Sequence, residues 1–284
     1  MSAVRVQLSP PIARIVVEVR GRLPDSVALD TVFAVARAYK ARIEGMFVEQ
    51  QGLASLANLS CARHVSFAGQ CSGANAFASF ETASRSAISA VRRDFERRAK
   101  ADDLALEFDV VREESDSELS AHCGEGSLVL LTGGLNSETA IRLSALLNGP
   151  NRIAGVLLVG PHARANAGSI VAVASDQRGL EKAVRTAIRL QLGETEPIRL
   201  VLAGSSREDL AMLAAFAERL VPPDISVTLI PARITPGATA AFIYQLGRIP
   251  GRLMILPIGS AIAASAEVIR ALANGLDRPL LLLK

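Results

Sequence analysis

Short apolar runs alternate with longer amphipathic stretches along almost the whole chain. Ile15 to Val19 reads as a buried strand, and Asp25 or Ser26 is placed to cap a helix whose Leu29, Val32, Phe33 and Ala36 share one face. Arg42 to Val48 is the next strand. A long helix is expected from about Ala76 to Ala101, because Phe77, Phe80, Ala87, Ile88, Val91 and Phe95 recur every three or four positions. Leu104 to Val111 alternates as a strand, and Ser115-Asp116-Ser117-Glu118 has the form of a capping box. Strand 128–131, a helix to Leu147 and strand 153–159 complete the first half.

In the second half, Ile170–Ala174, Ile198–Leu202, Ile225–Ile230, Leu253–Leu256 and Leu280–Leu283 read as strands. Helices are expected near 178–192, 206–220, 235–247 and 261–273, with Ser206-Arg207-Glu208-Asp209 as a further cap. Strands apolar on both faces, separated by helices, predict a parallel sheet covered on both sides.

The pattern is written twice. Leu146-Leu147-Asn148-Gly149-Pro150-Asn151-Arg152 reappears as Leu272-Ala273-Asn274-Gly275-Leu276-Asp277-Arg278, and an apolar run follows each copy. A repeat this long predicts two related domains rather than an array of small units. The expected division is a first domain over 1–160 with an irregular insertion at 49–75, a linker over 161–168, and a second domain over 169–284. Asn148-Gly149 and Asn274-Gly275 are expected to end helices in the left-handed conformation that Asn and Gly tolerate. The closing runs, Ile153–Val159 and Leu280–Leu283, are each apolar, and either one left as a bare edge would invite aggregation.

Composition narrows the function classes. With 284 residues the chain can bury two ordinary cores, and with 4% aromatic residues and no Trp those cores must be aliphatic. The net charge of +3 is small, and no basic cluster is joined to aromatic residues, so nucleic acid is not an expected partner. Met1 to Pro11 lacks the pattern of a signal peptide, and no apolar run approaches the length of a membrane span. Three cysteines do not make a disulfide framework. A reduced, cytoplasmic protein with no membrane association is expected.

The order of elements, the closing strand after a helix in each half, and the segment after the second strand together resemble the tandem universal stress proteins. In that segment Met46-Phe47-Val48-Glu49 leads into Leu53, Leu56-Ala57 and Ala62-Arg63-His64-Val65. The likeness covers almost the whole chain. It implies two flavodoxin-like α/β domains, each a five-stranded, mainly parallel sheet with helices on both faces, packed as an internal pseudo-dimer.

Nucleotide-binding members of that family carry an Asp at the end of strand one and a Gly-x2-Gly-x9-Gly-Ser/Thr loop after strand four. Such a loop works because backbone N–H groups and a helix N-terminus solvate phosphate, and only Gly permits so close an approach. Here the strand-one ends align with Arg20 and Ser175, with Asp176 one place late. After strand four stand Thr132-Gly133-Gly134-Leu135-Asn136 and Pro257-Ile258-Gly259-Ser260-Ala261-Ile262, neither with the required spacing. No cofactor is therefore expected. Should a nucleotide bind, Ser175, Asp176, Gly259 and Ser260 are the residues in position; otherwise the glycines are tight turns leaving a strand.

Other chemistry is sparse. Cys61 and His64 are three apart, which on a helix places them on one side, and Cys71 follows seven residues later. These three would supply three of the four ligands of a zinc site, but the spacing matches no strong signature, so no metal is expected. His64, His122 and His162 have no recognisable acid or nucleophile partner, and no catalytic set is expected. Asp102-Asp103 and Glu113-Glu114 read as solvated charge, and Arg92-Arg93 and Arg97-Arg98 as intrahelical partners of Asp94 and Glu96. The expected function is that of a non-catalytic, stress-related regulatory or ligand-sensing protein. It would act on a protein partner or small ligand and is open to homodimerisation. The alternatives are an adenine-nucleotide binder with a divergent loop, and a metal or thiol sensor built on Cys61, His64 and Cys71.

Overall fold

A computed structural model describes residues 12–20, 23–50, 64–65, 71–72, 76–113, 122–132, 136–149, 153–165, 168–191, 195–234, 239–260, 262–263 and 265–284. The first half contains strands β1 (Arg14–Val19), β2 (Arg42–Gln50), β5 (Leu106–Glu113), β6 (Ser127–Thr132) and β7 (Gly155–Val159), with a short hairpin of β3 (His64–Val65) and β4 (Cys71–Ser72). Its helices are α1 (Ser26–Tyr39), α2 (Ala76–Ala101) and α3 (Ser137–Asn148). The second half runs β8 (Ile170–Ala174), α4 (Gln177–Gln191), β9 (Ile198–Gly204), α5 (Arg207–Leu220), β10 (Val227–Arg233), α6 (Thr239–Arg248), β11 (Leu253–Pro257), α7 (Ala266–Gly275) and β12 (Leu280–Leu283).

The ten long strands form one sheet in the order β10-β9-β8-β11-β12-β7-β6-β1-β2-β5. Within each half every neighbouring pair is parallel, and the same order recurs: third, second, first, fourth, fifth strand. The halves meet through β7 and β12, which pair antiparallel with Leu281 opposite Leu157 and Leu283 opposite Gly155. The closing runs therefore lie side by side, and each covers the other's edge. The ladder continues where the Lys284 N–H donates to the Ala154 carbonyl at 2.9 Å.

Alternation along the strands divides the core into two layers. Ile15, Val17 and Val19 point to the face covered by α1, α2, α4 and α5, while Val16, Val129 and Val156 point to the face covered by α3, α6 and α7. On the first face Phe33, Phe95 and Phe108 make edge-to-face contacts with centroids 6.4 and 6.1 Å apart, tying α1 to α2 and α2 to β5. Each such contact adds about 0.5–1.5 kcal/mol to the burial of the rings. The architecture is α/β of flavodoxin-like, universal-stress type, with helices on both faces as the apolar strands require.

Local signals account for most helix starts. Asp25 caps α1 by accepting the Ala28 N–H at 2.8 Å, and Ser206 and Asp209 form a complete capping box on α5. The Ser115–Glu118 box lies outside the described residues. Two readings need correction. Gly149 follows α3 in an extended conformation, φ −67° and ψ 164°, and α7 runs through Gly275 to a cap at Leu276 that is also extended. Neither glycine serves a left-handed cap. Gly149 is needed for space instead: a Cβ there would stand 2.5 Å from the Ala145 carbonyl oxygen. Likewise His64 begins a strand, so the helical spacing argument joining it to Cys61 does not hold.

Candidate functional site

In open α/β sheets ligands lodge beyond the carboxyl ends of the strands, where neighbouring crossovers leave in opposite directions. The strand order places two such crevices here, between β1 and β6 and between β8 and β11. Because β7 and β12 are antiparallel, the crevices open on opposite edges of the sheet.

Charged groups line the first crevice. Glu18, on β1, keeps only 5% of its side chain exposed, and both Arg20 and Arg142 are bonded to it. Arg142 reaches it from α3 and is itself 12% exposed. Arg20 also lies 4.0 Å from the exposed Glu138. A buried carboxylate is tolerable only when charge-assisted bonds replace its hydration, and two guanidinium groups supply them here. The N-terminus of α3 is likewise engaged: Asn136 Oδ1 accepts the Thr139 N–H at 2.9 Å. Arg20, the residue aligned with the family's nucleoside-binding Asp, is thus of opposite charge and pairs with an acid two places earlier. Sequence reasoning does not single out Glu18 or Arg142. The available signal is one acid inside an apolar run, at a position whose neighbours on the same face are inward.

Groups bonded to the local backbone line the second crevice. Asp176 Oδ1 accepts the Gly179 N–H at 2.8 Å and so caps α4. Ser260 is 3% exposed; its hydroxyl donates to the Pro257 carbonyl at 2.9 Å and accepts from the Ala263 N–H at 3.3 Å. Gly259 has φ +84°, and a methyl added there would have nothing within 4 Å, so the left-handed turn is what requires glycine. Ser175 is also engaged within the protein. Lys182 Nζ donates to the Lys284 carbonyl at 3.2 Å; burial and the nearby Arg178 push its pKa down, against the pull of Asp176. The four residues named as nucleotide contacts are therefore near one another, but Asp176 and Ser260 already serve the local fold.

Of the metal candidates, Cys61 lies outside the described residues. His64 and Cys71 sit on the paired strands β3 and β4, yet in register His64 faces Ser72 and Cys71 faces Val65. Among the described residues no group of three His, Cys, Asp or Glu is placed to hold a metal. Cys123 is 3% exposed, and burial pushes its thiol pKa up to about 11. The preceding His122 is exposed, and its carbonyl accepts from Arg14 Nη2 at 3.0 Å.

The charged helix ends are structural. Asp94 pairs with Arg97 and Arg98, and Arg98 also bonds Asp30 of α1 at 2.6 Å. Partial burial would raise the Asp94 pKa, but its two arginine partners outweigh that and hold it low. Asp102, expected in solvent, instead pairs with Arg37 at 3.1 Å. Arg92 lies over the Phe108 ring at 5.1 Å, and among the described residues it pairs with no acid.

No protein-family model matches the chain, and no curated protein matches it. Solved structures share its fold. A universal stress protein from Archaeoglobus fulgidus DSM 4304 is similar with a TM-score of 0.61 at 11% identity, covering 95% of this chain and 96% of its own. A structure from Pseudomonas aeruginosa UCBPP-PA14, assigned as a universal stress protein, gives 0.57 at 13% identity, with coverage of 96% and 93%. The cytoplasmic domain of a prokaryotic cation chloride cotransporter gives 0.51 at 13% identity, with coverage of 95% and 94%. These likenesses extend over both halves and establish a universal-stress-type fold. Among the described residues no helix is long and apolar enough to cross a membrane.

Proposed function

We infer that this chain is a non-catalytic regulatory or ligand-sensing protein of universal-stress type, whose halves act as an internal pseudo-dimer and neither of which uses ATP. It works in the cytoplasm, without a cofactor, through a protein partner or a small ligand. The fold supports the universal-stress part of this reading. The observation that carries the rest is that described groups at both crevices are already bonded within the protein. A phosphate chain that drew Arg142 away from Glu18 would leave a buried carboxylate short of a partner. Loss of one member of a buried pair costs about 3–5 kcal/mol. In the second, Asp176 already accepts the Gly179 N–H at the start of α4, and Ser265 accepts the Val268 N–H at the start of α7.

Calorimetric titration of the full chain with Mg-ATP tests this reading. No saturable heat is expected at sub-millimolar ligand. A one-site isotherm that Ser175→Trp or Gly259→Trp weakens would overturn it in favour of nucleotide binding through the second crevice.

A further inference from the structure

Away from both crevices, a cavity of about 240 Å³ lies at the seam between the halves. The first half contributes one face of α1, Val27, Asp30, Thr31 and Ala34, at the helical spacing that brings such residues together. The second half contributes Leu190 from the end of α4 and the floor residues Ile170, Leu253 and Pro279. Arg164, from the segment joining the halves, and Arg252 complete the wall. The helices on either side are held together elsewhere: the Tyr39 hydroxyl donates to Thr186 at 3.3 Å, and Arg189 Nε donates to the Ala38 carbonyl at 3.0 Å. The cavity opens beside the first three turns of α1, beyond these contacts.

Its chemistry is asymmetric. The floor is aliphatic and holds no aromatic ring. Asp30 is already matched by Arg98 at 2.6 Å, so its charge is not available to a cation. Arg252 donates to the Leu190 carbonyl at 3.1 Å, keeping a fixed positive charge in the wall. Arg164 is exposed; its backbone N–H donates to the Asp277 carbonyl at 2.8 Å, and among the described residues nothing hydrogen-bonds its guanidinium. An aliphatic floor beneath an unpaired guanidinium suits a ligand with a short apolar tail and an anionic head, because the planar fork binds carboxylates in pairs of bonds. The volume is below the ~300–1,000 Å³ usual for drug-sized ligands, which limits the tail to a short chain.

We propose that this seam cavity binds a small aliphatic carboxylate, with its head on Arg164 and its tail against Val27, Ala34 and Leu190. The occupant touches both halves and the segment between them, so binding stabilises their docking. This gives the ligand-sensing reading a ligand class. It rests on that reading for what binding signals, while the binding is tested at a different site.

The test is calorimetric titration of the full chain with sodium octanoate, with octylammonium as the probe of same tail and opposite charge. Octanoate should give a saturable one-site isotherm and raise the melting temperature; octylammonium should do neither. Arg164→Glu, an exposed change that leaves the core intact, should weaken octanoate about tenfold or more, as loss of a charge-assisted hydrogen bond implies. Ala34→Trp should abolish binding by filling the cavity, provided its melt shows a folded chain. Absence of saturable heat at millimolar octanoate, equal binding of octylammonium, or an unchanged Arg164→Glu isotherm would each overturn the proposal. A saturable Mg-ATP isotherm would overturn the reading of the crevices and leave this cavity untouched.

Discussion

Replacing Gly155 with Ala should loosen the joint between the halves. Gly155 stands opposite Leu283 in the antiparallel β7–β12 pair, and a Cβ there would lie 2.0 Å from the Leu282 carbonyl oxygen and 3.2 Å from its carbon. A C–H···O contact normally keeps about 3.3–3.6 Å between the heavy atoms, so more than about 1 Å of movement is needed. The obstacle is main chain in a buried strand, with no rotamer to change. Added methyls that force backbone shifts cost about 1–3 kcal/mol and sometimes more, while the stiffer unfolded chain returns about 0.4–1 kcal/mol. The net expectation is a loss of about 2 kcal/mol. For a chain of this size that lowers the melting temperature by roughly 4–8 °C. Gly247→Ala is the internal control: Gly247 lies in α6 with nothing within 4 Å of the added methyl, so helix propensity alone should stabilise it by about 0.5–1 kcal/mol. Thermal melts of the three proteins, with sedimentation to detect exchange of halves between chains, decide the matter. A Gly155→Ala melt within a degree of wild type would refute the close approach at the joint.

Further outcomes follow from single residues. With its pKa raised to about 11, the buried Cys123 should resist iodoacetamide at neutral pH until the chain unfolds; alkylation at the rate of the denatured control would contradict its burial. Arg278, 2% exposed, donates to the Gly247 carbonyl at 2.9 Å and to the Ile249 carbonyl, so Arg278→Met should cost about 1–3 kcal/mol for each carbonyl left bare. Denaturant melts in which that variant matched wild type would remove the anchoring role. Melts with and without a chelator should superimpose, since among the described residues no three His, Cys, Asp or Glu are placed to hold a metal; a large fall reproduced by Cys61→Ser would bring the metal reading forward.

Patterns with a local cause are legible in the sequence. The apolar closing runs announce edges that need cover, because an exposed edge of that composition is a hazard wherever it lies, while their pairing with each other comes from the family resemblance. Asp25 and Ser206 announce helix starts, because a cap acts within three residues of itself. What depends on distant chain is hidden. The repeated Asn-Gly pairs look like left-handed caps, yet Gly149 is selected by the proximity of the Ala145 carbonyl. Periodicity predicts the last helix from 261, but the buried Ser260 hydroxyl stabilises a turn first, and α7 starts only after the Ser265 cap. Arg278 closes the repeated motif in plain view, but its use emerges only when α6 brings two carbonyls to it.

The candidate sites show how far the two halves have separated in chemistry while keeping one topology. The registers place Ile15 beside Leu128 in the first half and Ile170 beside Leu253 in the second, which makes these pairs equivalent. Counting along the strands from there, Glu18 of the first crevice corresponds to Val173 of the second, 0% exposed. At the opposite ends of the same strands, Arg14 beside Ser127 corresponds to Ser169 beside Arg252, the same two residue types exchanged between strands. In the first half Arg14 Nε donates to Ser127 Oγ at 2.6 Å and also bonds Glu44; in the second, Arg252 turns to the Leu190 carbonyl at the seam cavity. The buried carboxylate of the first crevice therefore has an aliphatic side chain as its counterpart in the second. The exchange of Arg and Ser puts a fixed guanidinium at the seam in the second half alone. Identical ligation by both halves is chemically excluded at these positions.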